Sequence, residues 1–448
     1  MAGKKIHLHT IGCQMNQSDS ERLAGFLSVR GGQIVSRASE ARYIIVNTCG
    51  VRQSAEDRAF GLAHQWRDSR PGIKIILTGC LAGRIDLRGK IAATFDFSFK
   101  IGDMEKLASF LGFKNIRFPR IKNTNVDYLR INPCYHDQVR AFVPIGNGCN
   151  NFCSYCVVPY ARGQENWRPA DEIITEARTL ISHGCREITL IAQNVNSYKS
   201  FLKTKKGREP VDFSRLLRRL DSLPGNFWIR FATSHPKDLD AKLIETMADC
   251  EKVCEHLHLP AQAGDDEILR RMNRAYTIEH YKNLISRWRA AFRHSRLKKD
   301  WPTAVTTDLI VGFPSEKRQQ FTNTLKLVRA VKFDQVYSAR YSPRPGTAAS
   351  VWPDNVPMAE KKRREKILEA EVKKIALAIN QAYVGKVLPV LVVGQNRHQE
   401  YYGLTRTNKK IILLESRCPP RSGEFYDARI VAAREFSLAG KIKKPASN

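Results

Sequence analysis

The hydrophobic pattern changes character twice along the chain. In the first stretch, short apolar runs recur at intervals of roughly 30 to 40 residues, the length of a βαβ unit. Each run ends on a cysteine: KKIHLHTIGC at Cys13, ARYIIVNTC at Cys49 and IKIILTGC at Cys80. Helical patterns follow, SDSERLAGFLSVRGG with a Ser/Asp cap and a Gly31-Gly32 stop, and SAEDRAFGLAHQWRDSR. This alternation predicts an open parallel α/β domain. Periodicity then lapses over residues 115–140, which read as a linker with a short extended stretch. From Ala141 strand and helix alternate again. The expected strands are AFVPI, REITLI, FWIRF, HLHLP, AVTTDLIVGF and DQVYSARY. The expected helices lie near 170–183, 213–222, 238–250, 265–293, 316–332 and 359–382, with Ile174, Ala177 and Ile181 as the buried stripe of the first. Six such units predict a partial (β/α)6 barrel with its site at the carboxyl ends of the strands. Beyond Val384 come short β-rich runs, KVLPVLVV, YYGLTRT, KKIILLE, FYDARIVAA and REFSL, as in a small antiparallel β-barrel. The expected division is 1–120, a linker over 121–140, 141–382, 383–442 and a disordered tail over 443–448.

The candidate chemistry centres on Ile145 to Gly163, IGNGCNNFCSYCVVPYARG. Cys149, Cys153 and Cys156 stand as C-x3-C-x2-C, three thiols that can wrap one compact metal centre. A [4Fe-4S] cluster normally takes four thiolates, so three would leave one iron open. Zinc sites run as separated pairs totalling four ligands, and a redox pair would need no third cysteine. Phe152, Tyr155, Val157 and Val158 would keep water off such a cluster. In an open parallel sheet, Cys13, Cys49 and Cys80 would meet in one crevice at the strand ends. Their spacing fits a second cluster and equally fits buried core thiols. Cys134, Cys185, Cys250, Cys254 and Cys418 follow no such pattern and read as core or surface thiols, Cys250 and Cys254 being able to share a helix face. The segments after the later strands, AQNVNSY, ATSHP and PAQAGD among them, are turn-rich and polar. Gln193, Asn194, Ser234, His235 and Gln262 could line a polar cofactor pocket, although turn chemistry alone would produce much of this composition.

Charge adds a partner. The 448 residues carry 74 Lys and Arg against 44 Asp and Glu, a net charge of +30. That excess suits a polyanion, most simply nucleic acid, though a solvated basic surface would look the same. Arg397, Arg406, Lys409, Lys410 and Arg421 interleave with Tyr401, Tyr402 and Phe425 in the terminal barrel, a mixture suited to an RNA backbone and unstacked bases. No run of 18 apolar residues marks a membrane span, and the first residues have neither a signal h-region nor a transit pattern, so a cytoplasmic protein is expected. Eleven cysteines are too sparse for a disulfide scaffold.

The loop C-x3-C-x-Φ-C resembles the signature of the radical SAM superfamily. With IGCQMNQSDSE, IIVNTCGVR, TGC, QNVNSY, TSHP, LHLPAQAGDDEILRRMNR and DLIVGFPSE, nearly the whole chain resembles the methylthiotransferase family of that superfamily. YYGLTRTNKK and AREFSLAG are similar to its TRAM domain, an RNA-binding barrel. The resemblance implies two [4Fe-4S] clusters, one at Cys149, Cys153 and Cys156 binding S-adenosylmethionine, the other an auxiliary cluster at Cys13, Cys49 and Cys80 holding sulfur. It implies cofactor contacts from Tyr155, Arg162, Gln193, Asn194, Ser234 and Gln262, and RNA contacts from Arg397, Arg406, Lys409 and Lys410. The expected reaction replaces the C2 hydrogen of N6-dimethylallyladenosine, next to the anticodon of tRNA, by a methylthio group through a 5′-deoxyadenosyl radical. The expected partners are the tRNA anticodon stem-loop, an electron donor and a sulfur donor, and the expected state is a monomer. The alternatives are the same chemistry on N6-threonylcarbamoyladenosine or on a ribosomal protein side chain, and a non-catalytic iron-sulfur RNA-binding or redox-sensing protein. Gly50, where many relatives have Ser, and Trp167, in NWRP where Ser-Arg-Pro is common, depart from the family pattern.

Overall fold

The computed structural model of the protein describes residues 4–113, 126–204, 207–414 and 419–445. The first sheet is built from β1 (Lys4–Ile11), β2 (Gly32–Ile34), β3 (Tyr43–Thr48), β4 (Lys74–Gly79) and β5 (Phe97–Ser98), all parallel, in the order 2-1-3-4-5. Helices α1 (Gln14–Ser28), α2 (Gln53–Ser69), α3 (Arg88–Thr94) and α4 (Met104–Phe110) cover it. The apolar runs are continuous because both faces are buried. Ile44, Val46, Ile75 and Leu77 pack under Ala59 and Phe60 of α2. Ile6, Ile45 and Ile76 pack on the other face against Leu23, Phe26 and Leu27 of α1 and Met104 and Leu107 of α4.

Helix α1 begins five residues earlier than a cap at Ser18 suggests. Cys13 is its N-cap, and the Asn16 side chain accepts from the Cys13 backbone N–H at 3.3 Å. Asp19 therefore lies inside the helix. The expected linker is partly structural as well. Tyr128, Leu129 and Ile131 are buried in the core of this first domain, while 114–125, with the expected boundary at 120, lie outside the described residues.

The middle of the chain holds β6 (Arg140–Pro144), the short antiparallel pair β7 (Gly146–Asn147) and β8 (Asn166–Trp167), α5 (Val158–Arg162), α6 (Ala170–Ser182) and β9 (Glu187–Ile191). The hairpin β10 (Lys199–Thr204) and β11 (Gly207–Asp212) follows, then α7 (Phe213–Asp221), β12 (Trp228–Ala232), α8 (Ala241–Asp249) and β13 (His256–His258). Next come α9 (Asp266–Arg271), α10 (Ile278–His294), β14 (Ala304–Val311), α11 (Arg318–Val331) and β15 (Gln335–Arg340). Strands β6, β9 and β12 form one parallel sheet and β13, β14 and β15 another. Backbone bonds from Ile229 N–H to Lys252 O and from Cys254 N–H to Ile229 O join the two. The result is the six-stranded open barrel, with all six strands where the hydrophobic pattern puts them.

Local details differ from the pattern. In α6 the fully buried line is Ala170, Ile173, Ala177 and Leu180, and Ile174 and Ile181 flank it, half-buried. The helix expected over 265–293 is two helices, because Asn273 turns left-handed at φ 55° and Thr277 recaps the chain for α10. The hairpin over 199–212 carries no apolar alternation that would announce it. Cys250 caps the C-terminus of α8, and Cys254 pairs beside β12, so the two share no helix face. Cys134 is exposed and Cys185 buried; Cys418 lies outside the described residues.

Helix α12 (Met358–Gln381) leads into a closed barrel of β16 (Val387–Gln395), β17 (Tyr401–Thr405), β18 (Lys410–Leu413), β19 (Phe425–Ala433) and β20 (Ser437–Pro445), in the order 16-17-18-20-19. The barrel is not wholly antiparallel, since β18 and β20 run parallel. Strand β20 continues through Lys443 to Pro445 against β19, into the expected tail; residues 446–448 lie outside the described residues.

The turn between β17 and β18 plugs into the strand-start end of the six-stranded barrel. Arg230 of β12 donates to Glu187 at 2.6 Å and to the Arg406 and Thr405 carbonyls at 2.8 and 2.7 Å. Arg406 forks onto Glu255 at 2.8 and 2.9 Å, and Lys409 meets Asp334 at 2.6 Å. Arg406 and Lys409, expected to face RNA, are therefore buried in the domain junction. Once their ions are desolvated, a partner carboxylate is required. Arg397 remains exposed and Lys410 half-exposed.

Candidate functional site: two cysteine triads on one cavity

Cys13 follows β1 by two residues, and Cys49 and Cys80 directly follow β3 and β4. Strand order reverses between β2-β1 and β1-β3, so the first two cysteines flank a topological switch point, where open α/β sheets bind ligands. Asn16 and Asn47 hold these ends in register. The Asn16 amide donates to Asn47 Oδ1 at 3.0 Å, and the Asn47 amide donates to Asn16 O at 2.8 Å and Ser20 Oγ at 2.9 Å. The second triad lies between β7 and α5, at the carboxyl-terminal mouth of the larger barrel.

One continuous cavity of about 1730 Å³ is lined by all six cysteines. Tyr155, Arg162, Gln193, Ser234 and Gln262 also line it. Asn194 does not; its amide donates to Asp238 at 2.7 Å, away from the cavity. Gln193 accepts from the Gly148 N–H at 2.6 Å, which shapes the cysteine loop. Ser234 Oγ is buried with no hydrogen-bond partner among the described residues, so the wall holds a polar group still open to a ligand. Phe152, Thr233 and Gln262 have left-handed backbones, φ 45°, 73° and 69°. For a β-branched or bulky residue this is strained; Thr233, directly after β12, and Gln262 line the cavity, and Phe152 lies in the cysteine loop.

All six cysteines are free. Among the described residues no three His, Cys, Asp or Glu side chains close on the point a single metal ion would need. The donors instead suit a larger, anionic thiolate-held group. Sulfur-directed donors stand at four of the six: Val51 N–H 3.3 Å from Cys49, Arg162 Nε 3.1 Å from Cys80, the Asn151 amide 3.5 Å from Cys149 and Arg274 Nη1 3.6 Å from Cys153. Burial, and then the neighbouring Cys153, push the Cys156 thiol up to about 12, and burial raises Cys149 too. Free thiols there stay protonated at neutral pH, and a bound cationic centre is what would convert them to thiolates. Burial opposes the charge of Arg162, but Asp19 and the Cys80 sulfur outweigh it and hold its pKa well above the usual range. Burial and the adjacent Arg274 keep His235 neutral, lowering it to about 2.

Residues 5–96 match the model of an uncharacterized protein family, UPF0004, residues 143–328 the radical SAM superfamily, and residues 381–443 the TRAM domain. The chain is 40% identical to the tRNA-2-methylthio-N(6)-dimethylallyladenosine synthase of Caldicellulosiruptor saccharolyticus, over 98% of this chain and 92% of that protein. It is 39% identical to the protein of the same name from Syntrophomonas wolfei, over 98% and 97%. The chain belongs to this synthase family. Among solved structures, the radical S-adenosylmethionine methyltransferase TsrM from Kitasatospora setae superposes with TM-score 0.53 at 12% identity, covering 78% of this chain and 77% of that one. That likeness concerns the fold.

Gly50 and Trp167 both sit in close packing. A Cβ on Gly50 would lie 2.8 Å from the Cys80 carbonyl oxygen, so the Cys49 and Cys80 turns approach too closely here for a larger residue. Trp167 lies over Gly146, where a Cβ would come within 2.2 Å of the indole, and meets Tyr198 edge-on at 5.4 Å. Sequence reasoning missed Arg274, Asn16, Asn47 and Asp19. The two asparagines stand within three residues of a cysteine, in IGCQMN and VNTC. Arg274 closes the stretch LHLPAQAGDDEILRRMNR, directly after the turn at Asn273 that separates α9 from α10.

Proposed function

We propose that this chain methylthiolates tRNA, replacing the C2 hydrogen of N6-dimethylallyladenosine next to the anticodon, with six cysteines holding two [4Fe-4S] clusters. The observation that carries this is the shared cavity: two three-cysteine sets from two different domains open onto one space. When bound, a cluster open at one iron would supply the electron that splits S-adenosylmethionine into methionine and the 5′-deoxyadenosyl radical that takes the C2 hydrogen, and the second would supply sulfur, which a second S-adenosylmethionine would methylate. The residues do the rest. Cys149, Cys153 and Cys156 hold the first group and Cys13, Cys49 and Cys80 the second. Arg274 and Arg162 offset the thiolate charge. Tyr155, Gln193, Ser234 and Gln262 face S-adenosylmethionine. Arg397 and Lys410, the latter 4.8 Å above the Tyr402 ring, meet the anticodon stem-loop.

The domain division that goes with this reading is 1–120, 141–382 and 383–442, the last extended by β20 to Pro445. The relatives' name concerns dimethylallyladenosine, so threonylcarbamoyladenosine, a ribosomal protein side chain and a non-catalytic role are not favoured. No described helix is long and apolar enough to cross a membrane, and we place the protein in the cytoplasm as a monomer, supplied by an electron donor and a sulfur donor. Nucleoside mass spectrometry of tRNA from cells with and without the protein tests the reading. Loss of the 2-methylthio nucleoside with accumulation of its unthiolated precursor is expected, and an unchanged nucleoside profile would refute it.

A further inference from the structure

Arg162 lies six residues after Cys156, on the loop of one triad, yet its side chain crosses into the other domain and ends on the other triad. Nε donates to Cys80 Sγ at 3.1 Å, Nη1 to Asn147 at 3.0 Å and Nη2 to Asp19 at 2.7 Å. The side chain is 4% exposed and that of Asp19 0%. Asp19 is fixed in turn by the Tyr128 hydroxyl, which donates to it at 2.9 Å. The backbones meet here too, since a Cβ on Gly83, three residues past Cys80, would lie 3.2 Å from Ala161 Cα. A planar guanidinium serves three partners in one plane, which a lysine ammonium cannot do.

We propose that Arg162 is a positioning residue that sets the reduction potential of the group held by Cys13, Cys49 and Cys80 and leaves the other group's potential alone. The proposal rests on the two-cluster reading above. One-electron reduction adds a negative charge to a cluster. A buried cation donating to a ligand sulfur stabilises that reduced form and raises the potential. The second triad has its own counterpart: Arg274, anchored on Pro260 O at 2.8 Å and Tyr276 Oη at 3.0 Å, points at Cys153. The two arginines should therefore act separately.

The test is a dithionite titration followed by electron paramagnetic resonance on the full-length, anaerobically reconstituted chain. In a background with Cys149, Cys153 and Cys156 all changed to Ala, Arg162→Gln should move the remaining midpoint to lower potential, and Arg274→Gln should leave it in place. With Cys13, Cys49 and Cys80 changed instead, Arg162→Gln should leave the midpoint in place. An unmoved midpoint in the first background, or equal shifts in both, overturns the proposal. Should Arg162→Gln not fold, Asp19→Asn keeps the shape and leaves the arginine less neutralised; it should raise the midpoint, and no rise overturns the proposal equally. If the first background bound no iron at all, the two-cluster reading would fall and this proposal with it, an outcome distinct from a cluster whose midpoint ignores Arg162.

Discussion

The two triads offer the same three thiols by opposite means. Cys149, Cys153 and Cys156 fall within eight residues of one loop, and their grouping survives almost any surrounding fold. Cys13, Cys49 and Cys80 are brought together by three parallel strands and the Asn16–Asn47 pair, so their site exists only while the sheet does. A local site costs little chain entropy to assemble, whereas a distributed one depends on non-local pairing. What the distributed set gains is position: its strand ends face the mouth of the other domain.

Removing one thiol from each set has the largest expected effect. Cys153→Ala and Cys49→Ala should each lose about half of the iron and all detectable methylthio product. In the intact protein the strand-end set should release its iron at lower urea than the loop set. Iron assay with mass spectrometry of product checks both, and simultaneous release at one urea concentration would show the two sets to be equally robust. Next comes the domain junction, assembled as the strand-end site is. Arg406→Ala takes the fork from buried Glu255, which keeps only Lys298 at 3.3 Å, and should cost about 3 kcal/mol, read as a fall in the thermal midpoint and faster proteolysis near α12.

Glu21, on the helix that Cys13 caps, separates the two sites by pH. Burial raises its carboxyl from 4.5 to about 7 despite the His136 N–H and the Arg22 charge. A raised folded-state pKa means stability that is fully present below about 4.5 and lost as pH rises through about 7. Glu21→Gln should therefore stabilise the first domain by up to about 3 kcal/mol at pH 8 and change little near pH 4.5. Urea unfolding at the two pH values decides it; an equal effect at both would show that titration is not the cause.

Asn47→Ala removes the link between the strand ends and should cost about 1–3 kcal/mol. It should loosen iron at the Cys13 set and spare the loop set. The smallest effect on stability belongs to Arg397. Being exposed, Arg397→Ala should change stability by less than about 0.5 kcal/mol while lowering the salt dependence of tRNA binding by about one ion. A filter-binding series in salt reads this, and an unchanged slope would take Arg397 off the RNA face.

Much of this molecule was legible in one dimension. All six strands of the large barrel, the three strands leading to a cysteine and the first four strands of the terminal barrel follow from apolar runs, because burial on one or two faces leaves a pattern in neighbouring residues; β20 overlaps the expected run REFSL only at Ser437 and Leu438 and extends to Pro445. The break between α9 and α10 was not legible, since the apolar spacing continues across Asn273 and Thr277. Charge was the poorest guide. Arg397 and Arg406 look alike as letters in a basic stretch, yet one is solvated and the other is locked on Glu255.

Local pattern was enough for most of the strands and helices, for the grouping of Cys149, Cys153 and Cys156 and for the family, because these depend on residues close in the chain or on whole-length similarity; the hairpin of β10 and β11 and the break between α9 and α10 left no such pattern. Tertiary structure alone decided that Cys13, Cys49 and Cys80 share a cavity with them, that Arg162 spans the two sets, and that Arg406 and Lys409 join domains. Each of these rests on contacts between residues far apart in the chain, where the partner's burial, and not the residue's identity, sets what a charge or a thiol does.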